Sequence, residues 1–137
     1  MKHKRPKHLT YLETIRFHGH DGPFLALGYK LGRLIVNRLK PKGIMDLTVT
    51  VRTCLEKPYT CLIDGLQCST FATLGKGNLR IKDRRTIIIS VTAVRNRKKL
   101  KILVNHRAMK ICQADGDLMK AARLIFKIPN RILFTVR

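Results

Sequence analysis

Gly19 and Pro23 separate two stretches that both read as helix, and that break sets how the N-terminal part of the chain can fold. Thr10 and Glu13 stand at capping-box spacing, so a first helix is expected to carry Leu12, Ile15 and Arg16 up to the break. Gly19 can end it in a left-handed conformation that a β-carbon disfavours. Pro23 suits the first turn of a second helix, where its missing N–H costs nothing. Leu27, Leu31, Leu34 and Ile35 then mark a buried stripe at helical spacing, which Lys40-Pro41-Lys42-Gly43 stops. The break itself contains His18-Gly19-His20-Asp21-Gly22, so it allows two imidazoles to converge beside a carboxylate.

Beyond that point the period changes. Over residues 45–53, Leu47, Val49 and Val51 alternate with Thr48, Thr50 and Arg52, which reads as a half-buried strand. Pro58 marks a turn, and Thr60 can cap a third helix running to about Thr73. On that helix Cys61, Asp64 or Gly65, and Cys68 share one face, with Gln67 beside it. Gly75-Lys76-Gly77-Asn78 must be a loop. Strands are expected over 79–82, 86–94 and 101–105, with a basic turn at 96–99, giving a hairpin-rich sheet. Asp115 or Asp117 can cap a last helix through Ile125, with Leu118, Ala121, Ala122 and Ile125 facing inward. Pro129 ends it, and residues 132–136 close the chain as a strand. The expected fold is α+β: one domain over 1–137, an antiparallel-rich sheet packed against about four helices, and a fraying basic tail over 1–8.

Composition fits one domain. At 137 residues a chain can bury roughly two-thirds of its unfolded surface. Hydrophobic residues make up 45% and aromatic ones only 6%, so aliphatic side chains must fill the core. Charge is far less ordinary: 29 Lys and Arg against 8 Asp and Glu give +21. A field of that sign attracts polyanions whatever the fold beneath it. The basic residues are scattered, without arginine–aromatic interleaving, a zinc-finger pattern or an RNP-like motif. Non-specific contact with nucleic acid is therefore the form such binding would take, and a basic solvated surface is the plainer reading. No secretory signal is readable, and the apolar run 24–39 is short and carries Lys30, Arg33 and Arg38, so no membrane span and a cytoplasmic location are expected. Cys54, Cys61, Cys68 and Cys112 form no CxxC pair and imply no disulfide frame.

Four pairs of residues carry chemistry. His18 and His20 lead, because neutral imidazole is a common metal ligand. Cys61 and Cys68 are the thiols available to join them, although buried inert cysteine is the commoner state. Asp64 and Gln67, three apart on one helix, can orient a histidine or bind a substrate amide; Asp64 can equally pair with an arginine in the core. Lys76 and Asn78 can present a positive charge and backbone N–H groups to a carboxylate, or simply shape a tight turn. A nucleotide-binding P-loop is excluded, since Thr70 and Gly77 stand where that motif needs Gly and Ser or Thr. No matched pair of catalytic carboxylates is readable.

Taken in order, His18-Gly19-His20 with the Gly28-Tyr29 helix, Asp64-Gly65-Leu66-Gln67, Leu74-Gly75-Lys76-Gly77-Asn78 and the closing residues 132–137 resemble the FmdE family, named for a component of formylmethanofuran dehydrogenase. The resemblance covers the family's core without its C-terminal zinc finger. It implies a homodimer and a pocket formed by His18, His20, Cys61, Asp64, Gln67, Lys76 and Asn78. That pocket would take zinc or another divalent metal, or an anionic small molecule, in an accessory role in one-carbon or redox metabolism. Two usual family cysteines are replaced by Gly22 and Ala72. No molybdopterin or iron–sulfur site is readable, so the chain is not expected to act as a stand-alone molybdenum or tungsten dehydrogenase. The alternative is a non-catalytic basic accessory protein that docks on an acidic partner or on nucleic acid.

Overall fold

The computed structural model describes residues 8–137; apart from His8, the expected basic tail lies outside the described residues. Helix α1 (Tyr11–His18) begins at the capping box, with the Thr10 hydroxyl accepting from the Glu13 amide and the Glu13 carboxylate from the Thr10 amide. It ends at Gly19, whose φ of 107° is left-handed. Helix α2 (Pro23–Leu39) starts with Pro23 and stops at Lys40, also left-handed. Both boundaries follow the sequence expectation.

Strand β1 (Leu47–Thr53) alternates buried and half-buried residues along its length. Helix α3 (Cys61–Thr70) follows, and then β2 (Leu79–Asp83), β3 (Ile88–Ala93) and β4 (Lys99–Val104). The C-terminal part adds α4 (His106–Gln113), α5 (Leu118–Lys127), the single turn α6 (Asn130–Leu133) and β5 (Phe134–Val136). The sheet order is β2-β1-β3-β4-β5. Pairings β1–β3, β3–β4 and β4–β5 are antiparallel, whereas β1–β2 is parallel. The fold is α+β, with six helices among the described residues.

The sheet is antiparallel-rich as expected, and its β1–β2 pair is parallel because α3 carries the chain back across the sheet, and strands joined by such a crossover run parallel. Three local expectations need correction. Helix α4 was not expected, because Arg107 and Lys110 interrupt its apolar signal and it buries only Ala108 and Cys112. Thr60 makes no side-chain cap; it is already helical in backbone, and tight turn bonds from Cys61, Leu62 and Ile63 to Pro58, Tyr59 and Thr60 start α3 instead. Asp117, one of the two expected caps, starts α5 by accepting from the Met119 and Lys120 amides, and Ala122 and Ile125 are buried as expected, but Leu118 is half exposed and Ala121 only partly covered rather than facing inward.

The helices cover one face of the sheet. Val49, Val51, Ile89, Val91, Ile102 and Val104 point from the strands into a core shared with Leu27, Leu31 and Ile35 of α2 and with Leu62 and Leu66 of α3. Glycine brings α2 and α3 together at backbone distance. A β-carbon on Gly28 would lie 2.1 Å from the Leu62 carbonyl oxygen, and one on Gly65 would lie 2.4 Å from that of Leu25. Both are far inside van der Waals contact, so only hydrogen fits at either position. This crossing sets the start of α3 against the His18–Gly22 turn.

Candidate metal centre

Helix α1 delivers His18 in its last turn, and the left-handed Gly19 folds His20 back over it, so the imidazole centroids lie 4.5 Å apart. The Nδ1 of His18 is 2.6 Å from Oδ2 of Asp64 on α3, and the Nδ1 of His20 is 2.9 Å from the Asp21 carbonyl oxygen. A carboxylate and a carbonyl can only accept, which assigns the protons to both Nδ1 atoms. The two Nε2 atoms then face each other 3.1 Å apart with their lone pairs free. Such a pair repels unless a cation, a proton or a metal ion, lies between them.

Cys61, the first residue of α3, completes the group: the ligand atoms of His18, His20 and Cys61 all lie within 4.8 Å of one another. Tetrahedral zinc, with bonds of about 2.0–2.3 Å, holds its ligand atoms roughly 3.3–3.8 Å apart, so small side-chain adjustments would bring this set onto one ion. Cys61 is buried, and burial together with the nearby Asp64 carboxylate raises its thiol pKa. Proton loss from this thiol would therefore have to be coupled to the arrival of a cation.

Asp64 is itself fixed. Gln67 Nε2 donates to Asp64 Oδ1 at 3.2 Å, and Gln67 Oε1 accepts from the Leu74 amide at 2.9 Å. A chain of hydrogen bonds thus runs from the loop after α3 through Gln67 and Asp64 to His18. A carboxylate bonded to the far nitrogen of a ligating histidine fixes its tautomer and ring plane. On the other side, the Tyr11 hydroxyl donates to Asp21 Oδ1 at 2.5 Å, pinning the residue whose carbonyl orients His20. Burial and the Asp21 carboxylate both raise the Tyr11 pKa, so it remains a donor. The sequence marked Asp21 as part of the constellation but held no sign of Tyr11, which pairs across the glycine turn.

The remaining sequence candidates lie elsewhere. Cys68 sits two helical turns from Cys61, about 10 Å along the axis, and its thiol is buried against Thr14 of α1. Lys76 turns back to donate to the Phe71 carbonyl and, at 3.0 Å, to the Thr73 hydroxyl, closing the C-terminal end of α3. Asn78 is 5% exposed; its amide donates to the Ile44 and Leu47 carbonyls and its oxygen accepts from the Thr73 amide. Both thus have loop-shaping roles within the protein.

An apolar cleft of about 50 Å³ opens beside the histidines, lined by His20, Gly22, Pro23, Phe24, Leu25, Pro58, Cys61, Cys112 and Leu118. That space admits a few water molecules or a small ligand group. Cys112 and Leu118 reach it from the C-terminal helices, a contribution no local motif announces. Burial pushes the Cys112 thiol up to about 12, so it stays protonated at neutral pH. A β-carbon at Gly22 would lie 3.7 Å from the His20 ring, so this glycine stands directly beside the site.

The FmdE family model, described as "FmdE, Molybdenum formylmethanofuran dehydrogenase operon", matches residues 17–128. The chain belongs to the FmdE family. The match takes in the histidine turn, α3 with Cys61 and Asp64, the loop around Lys76, and the strands between. Among curated proteins, this FmdE chain is similar to one from Archaeoglobus fulgidus described as a probable S-adenosyl-L-methionine-binding protein, at 27% identity over 96 residues. The matched part is 69% of this chain but 26% of that relative, so the chain spans about a quarter of its length.

Proposed function

We propose that this FmdE-family protein binds one divalent metal ion, with zinc the best match to its ligands, through His18 Nε2, His20 Nε2 and Cys61 Sγ. The observation that carries this reading is the pair of Nε2 atoms 3.1 Å apart, each on a ring whose other nitrogen is already committed. A shared proton would satisfy two imidazoles, but it gives no role to a thiol at the same point; a thiophilic cation satisfies all three. Three protein ligands leave a fourth position for water or a substrate atom, as in catalytic rather than structural zinc sites. Bound there, the ion would act as a Lewis acid towards that fourth ligand. The chain's own contribution is orientation: Asp64 holds His18, the Asp21 carbonyl holds His20, and Phe24 and Leu25 keep one side of the site apolar. A small oxygen-bearing anion is the ligand class such a centre takes, consistent with an accessory role in one-carbon or redox metabolism.

Elemental analysis after dialysis against high salt tests this directly. Near one metal per chain is expected in the wild type, with loss in His18→Ala and Cys61→Ala. Asp64→Asn is expected to keep the ligands but weaken metal affinity about 10–100-fold. A cobalt-substituted sample should show a thiolate-to-metal charge-transfer band that Cys61→Ser abolishes. A wild type that retains no metal, and takes up none from a cobalt titration, overturns the proposal in favour of a shared proton.

A further inference from the structure

The strands have a second face, and among the described residues no helix packs on it. Alternation along each strand sends Arg80 and Lys82 of β2, Arg52 of β1, Lys99 and Lys101 of β4, and Arg137 after β5 to the side opposite the core. Arg84 joins them at the edge, where it lines two shallow grooves of about 230 and 280 Å³ together with Ile88 and Lys101. Between the cations stand small hydroxyl residues: Thr48 and Thr50 on β1, Ser90 and Thr92 on β3, and Thr135 on β5. No acidic side chain shares this face. Asp83, on β2, is in register with the inward-pointing Thr53 and so lies on the other side. None of the seven cations has a carboxylate side chain within ion-pairing distance among the described residues.

Register turns these residues into rows. Arg80, Thr50, Ser90 and Lys101 are successive partners across four strands, and Lys101 pairs on with Arg137 through reciprocal backbone bonds. The next row runs Lys82, Arg52, Ile88, Leu103 and Thr135. Five strands span about 19 Å, and same-face neighbours along a strand are about 6.6 Å apart. A flat positive surface of that size could meet either an acidic protein or a phosphate backbone. Protein interfaces are anchored by apolar and aromatic residues at their centre, with lysine depleted. Here the centre offers only Ile88, which is 9% exposed, and Leu103, with no aromatic ring. The missing rings also argue against single strands, whose bases gain from stacking on aromatic side chains. Duplex nucleic acid needs neither, because its phosphates are its outer surface and both guanidinium and hydroxyl groups bond phosphate oxygens.

We propose that the outer face of the sheet, centred on Arg52, Arg80, Lys101 and Arg137, binds the phosphate backbone of double-stranded nucleic acid without reading its sequence. This site is separate from the metal centre, which lies on the helical side.

The test is fluorescence anisotropy with a short labelled duplex DNA, titrated between about 50 and 200 mM salt. Engagement of most of the seven cations gives a slope of log affinity against log salt approaching about −6. The triple variant Arg52→Gln, Arg80→Gln, Lys101→Gln should flatten that slope by nearly 3 units. A control removing the same charge from the α4–α5 side, Lys110→Gln, Lys120→Gln, Arg123→Gln, should flatten it by less than about 1. Circular dichroism melts would show that both variants fold, and His18→Ala should bind like the wild type, which separates this result from the fate of the metal centre. Four results would overturn the proposal: no binding at the lowest salt; equal loss in the two triple variants, which means net charge alone; tighter binding of the matching single strand; or displacement by polyglutamate at equal charge concentration, which assigns the face to acidic protein.

Discussion

The α2–α3 crossing and the outer face of the sheet are opposite solutions to placing side chains. At the crossing, two positions carry only hydrogen: Gly28 and Gly65 let two backbones touch, and the polar groups beside it are few, paired and directed at one point. On the outer face, side chains are long, positive and free of carboxylate partners, spread over rows that no other described element covers. The first region tolerates almost no change of volume and the second almost any. A site that must hold two nitrogens and a sulfur within a few ångströms is found in the first, because precision comes from packing that cannot relax. A surface that meets an anion spread over many phosphates has no need of that rigidity.

The sharpest way to break the contrast is Gly65→Ala. Its new methyl would meet the Leu25 carbonyl oxygen at 2.4 Å and the Tyr29 amide nitrogen at 2.5 Å, both backbone atoms that no rotamer change can move. Urea unfolding should show a loss of about 3 kcal/mol or more, and metal retention should fail with it. Gly75→Ala is the matched control: nothing lies within 4 Å of its would-be β-carbon, so stability should hold or rise by about 0.4–1 kcal/mol.

A smaller effect is expected from Asn78→Ala. It strands two carbonyls and an amide that Asn78 now satisfies, at a cost of about 2–3 kcal/mol. Because its partners are Ile44 and Thr73 in loops and Leu47 at the start of β1, none of them a candidate metal ligand, the folded fraction should still bind metal with wild-type affinity in a competition titration. Weakened binding there would instead give Asn78 the ligand role that its motif suggested. Least of all should come from Arg52→Gln with Lys101→Gln on the outer face, where the melting midpoint should correspond to a change within about 0.5 kcal/mol. A larger loss would mean that these cations support the sheet rather than wait for a partner.

Much of the fold was legible residue by residue. Thr10, Gly19 and Pro23 announce the two N-terminal helices, because capping and backbone conformation are decided within a few residues. Leu47 to Thr53 announces β1, since alternation is a direct consequence of the pleat. Helix α4 was hidden because its buried surface amounts to Ala108 and Cys112, too little to show as a period. At the site, His18, His20, Cys61 and Asp64 stood out by type and are brought together. Cys68, Lys76 and Asn78 stood out equally and are directed elsewhere, for the choice depends on rotation about α3 and on which carbonyls a loop leaves unpaired.

The sequence alone determined the helix boundaries around the histidine turn, the alternation that gives β1 one buried face, and the residue types able to bind a cation. All of these follow from short-range sterics and from chemical identity. Tertiary structure alone decided that β2 runs parallel to β1, that Asp64 meets His18 beside a glycine-mediated crossing, and that Cys112 and Leu118 line a cleft at a site far from them in the chain. Those outcomes rest on contacts between segments whose distance in sequence carries no signal of their distance in space.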